Sequence, residues 1–339
     1  MGLLKYKNLG KTDLKVSVVG FGGIPVQRIN VEETKKVLLK AEELGINFID
    51  SARGYSISEE YIGEAIVGRR QKWILATKSM VRDKEAMARD IEISLKNFKT
   101  DYIDLYQLHN IRTVEELERV FREDGAYAAL LEAKVSGKIK HIGITSHSLD
   151  LLKVAIEMDK FETIMYPYNI VENQGEELFK RAKELNIGVI AMKPMAGGAL
   201  ENGDLALRYI LKNENVTTAI PGMATIDEVI INAESVMKKE TFSHIDMEKA
   251  REIAGELGET FCRRCGYCAP CPQKIDIPTM FVFSAYKERY NLAQWAEERY
   301  SSMTFRAKDC IQCGACEKKC PYDLPIRSMM LKVRQTFNE

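Results

Sequence analysis

Four polar side chains lie at the ends of neighbouring apolar runs in the first third of the chain. Asp50 ends the run NFID, Tyr55 follows it in SARGY, Lys78 ends WILATK, and His109 ends DYIDLYQLH. Taken singly, each residue type at such a place is more often structural. Together, a carboxylate, a phenol, an amine and an imidazole form a set of groups that can transfer protons.

The chemistry that such a set could perform is specific. A phenol has an unperturbed pKa of about 10, so it is a weak acid at neutral pH unless a nearby ammonium favours the phenolate. Lys78 would supply that ammonium, and Asp50 would keep it charged and oriented. His109 could hydrogen-bond a substrate oxygen next to the phenol. These roles together indicate reduction of a carbonyl group.

A second set of reactive residues lies near the end of the chain. All eight cysteines fall in two runs of four. The second run has the spacing C-x2-C-x2-C-x3-C-P, which in bacterial ferredoxins holds [4Fe–4S] clusters, and the first has one residue fewer before its last cysteine. Without a secretory signal, closely spaced cysteines more often bind metal than form disulfides. We therefore predict an iron–sulfur module.

Two clusters with crossed ligands are the favoured arrangement, because in two-cluster ferredoxins the fourth cysteine of each run binds the other cluster. The predicted sets are Cys262, Cys265, Cys268 and Cys320 for one cluster, and Cys310, Cys313, Cys316 and Cys271 for the other. Two alternatives stay open: a single cluster held by the second run, or Zn–S4 sites, which C-x2-C pairs also suit. The segment between the runs has a helical pattern, so the module resembles an α-helical ferredoxin.

The elements that must position the four polar residues alternate regularly. Eight short apolar runs rich in β-branched and aromatic residues are separated by amphipathic helical stretches, which predicts a parallel sheet. Eight repeats in about 240 residues match a (β/α)8 TIM barrel, an α/β fold whose chemistry lies at the carboxyl ends of the strands. The predicted strands are 16–22, 47–50, 73–78, 101–109, 140–145, 163–169, 188–194 and 217–222. Residues 4–15 predict a β-hairpin that closes the bottom of the barrel.

The composition of the chain excludes several classes of binding partner. The chain has 339 residues, 49 Lys and Arg against 49 Asp and Glu, and 45% hydrophobic residues. A balanced charge offers no basic field for nucleic acid or anionic lipid. No apolar stretch reaches the roughly 18 residues of a membrane span, and the amino terminus lacks a secretory pattern. We therefore expect no nucleic-acid partner, no membrane association and a cytoplasmic location.

The motifs LGKTDLKVS, DSARGY, ATK and LYQLH resemble the aldo-keto reductase family over roughly residues 4–240. The resemblance implies a barrel that binds NADH or NADPH without a Rossmann domain and passes hydride to a carbonyl carbon. It implies that Tyr55 is the proton donor and that Asp50, Lys78 and His109 complete the catalytic set. Some barrel reductases that this chain resembles also carry a cysteine-rich tail.

The same resemblance indicates the cofactor contacts, with departures from the common pattern. Thr145 and Ser146 stand where Ser and Asn often hold the carboxamide, Asn169 remains as a polar contact, and Met192 replaces an aromatic residue that often stacks on the nicotinamide. Gly222 and Glu228 replace a Lys and an Arg that grip a 2′-phosphate, which favours NADH. The remaining expected contacts are Gly22, Pro194, Gly197, Gly198, Thr225 and Asn232.

These observations predict a barrel at 1–240, a linker helix at 241–261 and a ferredoxin-like α-helical domain at 262–339. The predicted function is reduction of a small aldehyde or ketone, or the reverse reaction, with a redox protein as a candidate partner of the clusters. The main alternative is a redox sensor or electron-transfer protein whose barrel binds nicotinamide without carbonyl turnover. A Schiff-base role for Lys78 with pyridoxal phosphate is weaker, because Asp50 would keep the amine charged.

Overall fold

The computed structural model describes residues 4–238, 242–264, 266–320 and 322–339, and these form two compact units. The first, the barrel unit, runs through Asn169 and adds Asn173–Pro194 and Asn202–Ser243. The second, the cysteine unit, combines His244–Glu339 with two short segments taken from the earlier chain, Ile170–Glu172 and Met195–Glu201. The chain therefore leaves the barrel unit twice before its final departure.

The barrel unit contains an eight-stranded parallel sheet whose strands follow one another in chain order. Isolated parallel bridges from Val19 to Ala219 and from Gly22 to Gly222 join the first strand to the last. The strands are β3 (Phe21–Gly22), β4 (Phe48–Asp50), β5 (Ile74–Ser79), β6 (Ile103–Leu108), β7 (Ile139–Thr145), β8 (Thr163–Pro167), β9 (Gly188–Met192) and β10 (Thr218–Ile220). The predicted (β/α)8 barrel is confirmed.

Helices alternate with these strands. They are α1 (Val31–Glu43), α2 (Ser58–Ala65), α3 (Lys84–Phe98), α4 (Val114–Val120), α5 (Ala126–Val135), α6 (Leu149–Ile156), α7 (Glu176–Glu184), α8 (Gly203–Leu211) and α9 (Ile226–Met237). Helix α3 shows how the sequence specifies them. Asp83 caps its first turn by accepting from the amide of Ala86 at 2.9 Å, and its buried face carries apolar residues at helical spacing.

An antiparallel hairpin precedes the barrel, with β1 (Tyr6–Asn8) paired to β2 (Lys15–Ser17). Its residues Leu9, Leu14 and Val16 pack in one apolar cluster with residues from the barrel strands, among them Phe48 and Leu105. The hairpin therefore covers the end of the barrel interior that these strand residues line.

Gly10 lets the hairpin approach the sheet closely. It has φ +60, a backbone conformation that favours glycine, and it bridges to Ile187 just before β9. A Cβ at Gly10 would lie 2.2 Å from the amide nitrogen of Gly188. Only glycine fits at this contact.

The first predicted strand, 16–22, is divided in the structure. Its beginning belongs to β2 of the hairpin and its end to β3 of the barrel. Asn47 fixes the end of the hairpin strand by accepting from the amide of Ser17 at 2.8 Å. At Gly20, a Cβ would lie 2.7 Å from the ring of Phe48, so the chain crosses tightly between the two sheets. A continuous apolar run concealed this change of sheet.

The cysteine unit is α-helical. Its helices are α10 (His244–Gly258), α11 (Ile277–Glu288), α12 (Ala293–Ser301) and α13 (Ile326–Thr336). Met280, Tyr300 and Met330 belong to its small apolar core, against which several cysteines pack. The predicted helical segment between the two cysteine runs is thus observed as α11 and α12. Among the described helices, none has the length and apolar character needed to cross a membrane.

A histidine links the hairpin to the barrel wall. His141 of β7 contacts Asp13 of the hairpin turn through Nε2 at 2.8 Å and Glu162 through Nδ1 at 3.1 Å. Burial alone would lower the pKa of His141, but hydrogen bonding and attraction from Glu162 and Asp13 outweigh it and raise that pKa. The pKa of Glu162 falls to about 2, because hydrogen bonds from His141 and Lys134 outweigh the effect of burial.

This arrangement predicts a pH-dependent stability. A histidine whose pKa is raised by folding stabilises the protein fully below its unfolded pKa of about 6.5, and that stabilisation disappears as pH rises through the folded pKa. We therefore expect the difference in thermal midpoint between the wild type and His141→Gln to decrease as the pH rises from 6 to 8.5. Circular dichroism melts of both proteins across that range provide the measurement, and a constant difference between them would contradict the assignment.

Candidate active site

The four predicted catalytic residues come together at the carboxyl ends of β4, β5 and β6. Asp50 is the last residue of β4 and Lys78 the penultimate residue of β5, while His109 directly follows β6. The parallel register pairs Lys78 with Gln107 of β6, so the three strands present their ends side by side. The sheet places residues that are far apart in sequence around one point.

A buried ion pair lies at the centre of this group. The Lys78 ammonium contacts the Asp50 carboxylate and donates to the carbonyl of Ser51 at 2.8 Å. The side-chain amide of Gln107 donates to the other Asp50 oxygen at 3.1 Å. Both charged side chains are only 3% exposed, so neither exchanges its partner for water. Burial raises the pKa of Asp50, against the opposing effects of Lys78 and Gln107.

Tyr55 stands over this pair. The Lys78 nitrogen lies 5.0 Å from the centre of the Tyr55 ring. The ring also meets that of His109 edge to face, with centroids 6.2 Å apart and planes at 89°. Phenol, ammonium and imidazole are therefore neighbours, and Tyr55 keeps part of its surface accessible.

The surroundings of His109 favour its neutral imidazole. The residue is half-buried, and the loss of water around its ring, with the positive charges of Lys78 and Arg82 nearby, lowers its pKa well below the usual value. Within the part of the chain that the structure describes, His109 Nδ1 is buried and has no hydrogen-bond partner. A buried polar atom left without a partner is costly unless a ligand satisfies it. The position suits a group that binds substrate.

Two further residues, Gln107 and Arg82, support the four predicted ones and were not predicted from the sequence. Gln107 precedes His109 by two positions, and the period-2 alternation of a strand could have placed both on one face. Arg82 donates to the carbonyls of His109 and Asn110, each at 3.0 Å, and pairs with Glu116 at 3.2 Å. Nothing in the sequence marks Arg82, because its partners come from distant loops.

Three non-glycine residues with a left-handed backbone lie at the same rim of the barrel. Ser56, Asn110 and Lys193 have φ values of 45, 53 and 57, and each directly follows a predicted site residue. Left-handed conformations at non-glycine residues cost about 1–3 kcal/mol each and tend to cluster at functional sites. The strand-end loops therefore hold an unfavourable backbone conformation directly beside predicted site residues.

The expected carboxamide contacts are buried but already engaged. Thr145 Oγ1 accepts from the amide of Asn110 at 2.8 Å, and Ser146 Oγ donates to the carbonyl of Ile111 at 2.5 Å. Asn169 Nδ2 donates to the carbonyl of Lys193 at 3.0 Å. These side chains tie the strand-end loops together, and their role toward a cofactor stays a prediction.

Other expected cofactor residues lie along the same rim. Met192 ends β9 half-buried, Pro194 follows it, and Gly22 and Gly222 form the bridge that closes the barrel. A Cβ at Gly222 would lie 2.7 Å from the ring of Pro25, so this position needs a residue without a side chain. Gly197 and Gly198 belong to the cysteine unit.

Glu228 occupies the beginning of α9. Its Oε2 accepts from the amides of Ala224 at 2.6 Å and Thr225 at 3.0 Å, while Thr225 Oγ1 accepts from the amide of Glu228. This is a capping box, which places a carboxylate at the positive end of the helix. Asn232, one turn further along, is buried.

The cysteines are gathered in the cysteine unit. A small cavity of about 20 Å³ is lined by Cys271, Cys310, Cys313 and Cys316, among other residues. Cys262, Cys268 and Cys320 pack against the core of the same unit, and Cys265 lies outside the described residues. In the described ranges no three His, Cys, Asp or Glu side chains converge closely enough for a single metal ion. The four thiols that line the cavity are the ligand type and number that a [4Fe–4S] cluster requires.

Comparison with known proteins agrees with this geometry. The sequence model of the Aldo/keto reductase family matches residues 18–204, more than half of the chain, and a 4Fe-4S dicluster domain matches residues 261–325. The chain therefore belongs to the aldo/keto reductase family and carries a 4Fe–4S domain.

Particular relatives cover most of the barrel. The uncharacterized oxidoreductase YqkF of Bacillus subtilis is 33% identical over 213 residues, 58% of this chain and 67% of that protein. The L-galactose dehydrogenase of Arabidopsis thaliana is 26% identical over 308 residues, 76% of this chain and 95% of that one. The solved holo form of aldo-keto reductase AKR11C1 from Bacillus halodurans has TM-score 0.64 and 29% identity, covering 74% of this chain and 96% of its own. The protein is thus an oxidoreductase of this family.

The Asp50–Lys78 pair yields a stability prediction. Lys78→Met leaves a buried carboxylate without its counter-charge, which costs about 3–5 kcal/mol of unfolding free energy. The double variant Asp50→Asn/Lys78→Met removes both charges, so we expect it to be less destabilised than the sum of the single variants. Urea unfolding followed by circular dichroism measures this cycle.

The exposed pair Lys153–Asp150 supplies the matched control, since its side chains are 54% and 63% exposed. Lys153→Met should change stability by no more than about 0.5 kcal/mol. Equal losses for Lys78→Met and Lys153→Met would show that the buried pair does not organise the site.

Proposed function

We propose that the protein interconverts a small aldehyde or ketone with its alcohol, using a nicotinamide dinucleotide, with Tyr55 as the proton donor. The observation that supports this most directly is the meeting of Tyr55 with the Lys78 ammonium and the neutral His109 at the strand ends. A bound reduced nicotinamide supplies the hydride. The protein must then supply one proton and a place for the carbonyl oxygen.

Each residue of the set has a separate task. The Tyr55 hydroxyl donates its proton to the carbonyl oxygen as that oxygen gains charge. Lys78 stabilises the phenolate that remains, because its ammonium lies close to the ring and is fixed by Asp50 and Gln107. His109 hydrogen-bonds the carbonyl oxygen as a neutral imidazole and orients it toward the phenol.

We propose NADH as the preferred cofactor. The positions that carry Lys and Arg in NADPH-binding relatives are Gly222 and Glu228 here. Glu228 also occupies two amides at the start of α9 with its own carboxylate. A 2′-phosphate approaching this helix end would meet a negative charge and fewer open amides, whereas a ribose hydroxyl would not be repelled.

The decisive experiment compares Tyr55→Phe with the wild type under anaerobic conditions, using NADH and NADPH with a panel of small aldehydes and ketones. We expect kcat to fall by two to four orders of magnitude, the usual contribution of a positioned general acid. The Kd for NADH should stay unchanged, and NADH should give the higher kcat/KM. Tyr61→Phe, in helix α2, is the matched control and should behave as the wild type.

Two outcomes would overturn the proposal. Turnover that survives Tyr55→Phe would remove the phenol from the reaction. Tight binding of NADH without turnover of any carbonyl would instead favour the redox-sensor alternative, in which the barrel only binds nicotinamide.

For the cysteine unit we propose two [4Fe–4S] clusters with crossed ligands. The support is the cavity lining, which combines Cys271 of the first run with Cys310, Cys313 and Cys316 of the second. The other cluster would take Cys262, Cys265, Cys268 and Cys320. When bound, such clusters exchange single electrons and also brace the chain that holds them.

Crossed ligation can be tested by additivity. If Cys271 and Cys313 bind the same cluster, Cys271→Ser, Cys313→Ser and the double variant should each lose about half of the iron. If each run holds its own cluster, the double variant should lose nearly all of it. Iron and sulfide analysis of anaerobically purified protein, with electron paramagnetic resonance after reduction, separates the two outcomes.

A further inference from the structure

Two consecutive arginines in the first cysteine run bind the short segment Ile170–Glu172. Arg263 Nε donates to the carbonyl of Val171 at 3.3 Å, and Arg264 Nη2 donates to Glu172 Oε1 at 2.5 Å. All of these residues belong to the cysteine unit. The loop between the first two cysteines is therefore anchored to a segment more than 90 residues earlier in the chain.

The Glu172–Arg264 ion pair is buried. The Glu172 side chain is 0% exposed and that of Arg264 is 12% exposed. Removing one partner of such a pair leaves an uncompensated buried charge, so the two residues depend strongly on each other. Arg264 also donates from Nη1 to the carbonyl of Cys262 at 3.2 Å, and it has φ +57. The pair thus holds a strained backbone beside the first cysteine.

The second segment of the cysteine unit, Met195–Glu201, reaches the same place. A Cβ at Gly197 would lie 3.0 Å from the Tyr290 hydroxyl, and a Cβ at Gly198 would lie 3.5 Å from that of Arg289. The half-buried Tyr290 in turn interacts electrostatically with Arg264 and with Glu172. The two short segments therefore pack on interacting polar residues, one on Arg264 and the other on Tyr290 and Arg289.

Along the chain, each segment directly follows a predicted cofactor contact. Asn169 precedes Ile170–Glu172, and Pro194 precedes Met195–Glu201. The Asn169 amide is bonded to the carbonyl of Lys193, which joins the two points where the chain leaves the barrel unit. A displacement of either segment would therefore move Asn169 or Pro194, because each is joined to its segment by a single peptide bond.

From these contacts we infer that Glu172 is a positioning residue that couples the first cluster to nicotinamide binding. By holding Arg264, it fixes the backbone of the first cysteine run in a conformation that receives the cluster. The filled cluster site then fixes Ile170–Glu172 and, with it, the neighbouring Asn169. It also fixes Met195–Glu201, which contains the predicted cofactor contacts Gly197 and Gly198. Coupling of this kind is reciprocal, so loss of the first cluster weakens cofactor binding. This inference rests on the proposed nicotinamide-binding function.

The test measures iron content and the Kd for NADH on the full-length protein, by anaerobic fluorescence titration without carbonyl substrate. Glu172→Gln should lose about half of the iron and one cluster signal in electron paramagnetic resonance. Its Kd for NADH should rise about tenfold, within the usual range of coupling between sites. Cys268→Ser, which removes a first-cluster ligand and leaves the ion pair in place, should raise the Kd by a similar factor.

Two controls separate coupling from general damage. Cys313→Ser should lose the other cluster and leave the Kd for NADH at the wild-type value. Asp104→Asn breaks a buried ion pair of the barrel, with Arg70 at 2.7 Å, and should destabilise the protein without loss of iron.

The results have distinct meanings. An unchanged Kd in both Glu172→Gln and Cys268→Ser would overturn the coupling, and full iron content in Glu172→Gln would overturn its positioning role. An equal rise of Kd in Cys313→Ser would overturn the assignment of the coupling to the first cluster. If the wild type itself does not bind NADH, the proposed function fails rather than this inference.

Discussion

The buried contact between Asp50 and Lys78 is the interaction on which the candidate site depends. A carboxylate and an ammonium removed from water are tolerated only when each satisfies the other and further hydrogen bonds complete them. Here Gln107 and the Ser51 carbonyl provide those bonds. The barrel favours this arrangement, because the adjacent parallel strands β4 and β5 fix the backbone positions of both residues.

The positive charge of Lys78 affects two neighbouring groups, Tyr55 and His109. It lies against the Tyr55 ring, where it would stabilise a phenolate, and it adds to the effect of desolvation in lowering the pKa of His109. One fixed cation therefore lies close to both the phenol and the imidazole. Pairs of titratable groups whose environments push them apart are the usual basis of acid–base roles in enzymes.

The cysteine unit raises a different question, because hydride transfer moves two electrons together and a cluster moves one. The structure suggests a role that avoids this mismatch. The loops that follow β8 and β9 belong to the cysteine unit, and the ion pair of Glu172 with Arg264 fixes one of them beside Cys262. Under the proposed coupling, the first cluster serves the reductase by shaping a loop rather than by supplying electrons.

Much of this protein was determined by local sequence. Alternating apolar runs and amphipathic helices specify the barrel, because side-chain periodicity selects strand or helix wherever one face must be buried. Asp50, Tyr55, Lys78 and His109 could be singled out because strand ends in such barrels share one rim. Cysteine spacing specified the iron–sulfur domain for a similar reason, since ligands to one cluster must lie within a short reach of one another.

Contacts between distant segments were decided only by the tertiary structure. The run 16–22 reads as one strand, yet packing at Gly20 divides it between the hairpin and the barrel. Gln107 and Arg82 support the site through partners that no local pattern reveals. Glu172 pairs with Arg264, which lies more than 90 residues later in the chain, and the Glu228 carboxylate caps the start of α9. Periodicity reports which face of a segment is buried, but the identity of the partner across a buried contact depends on the whole fold.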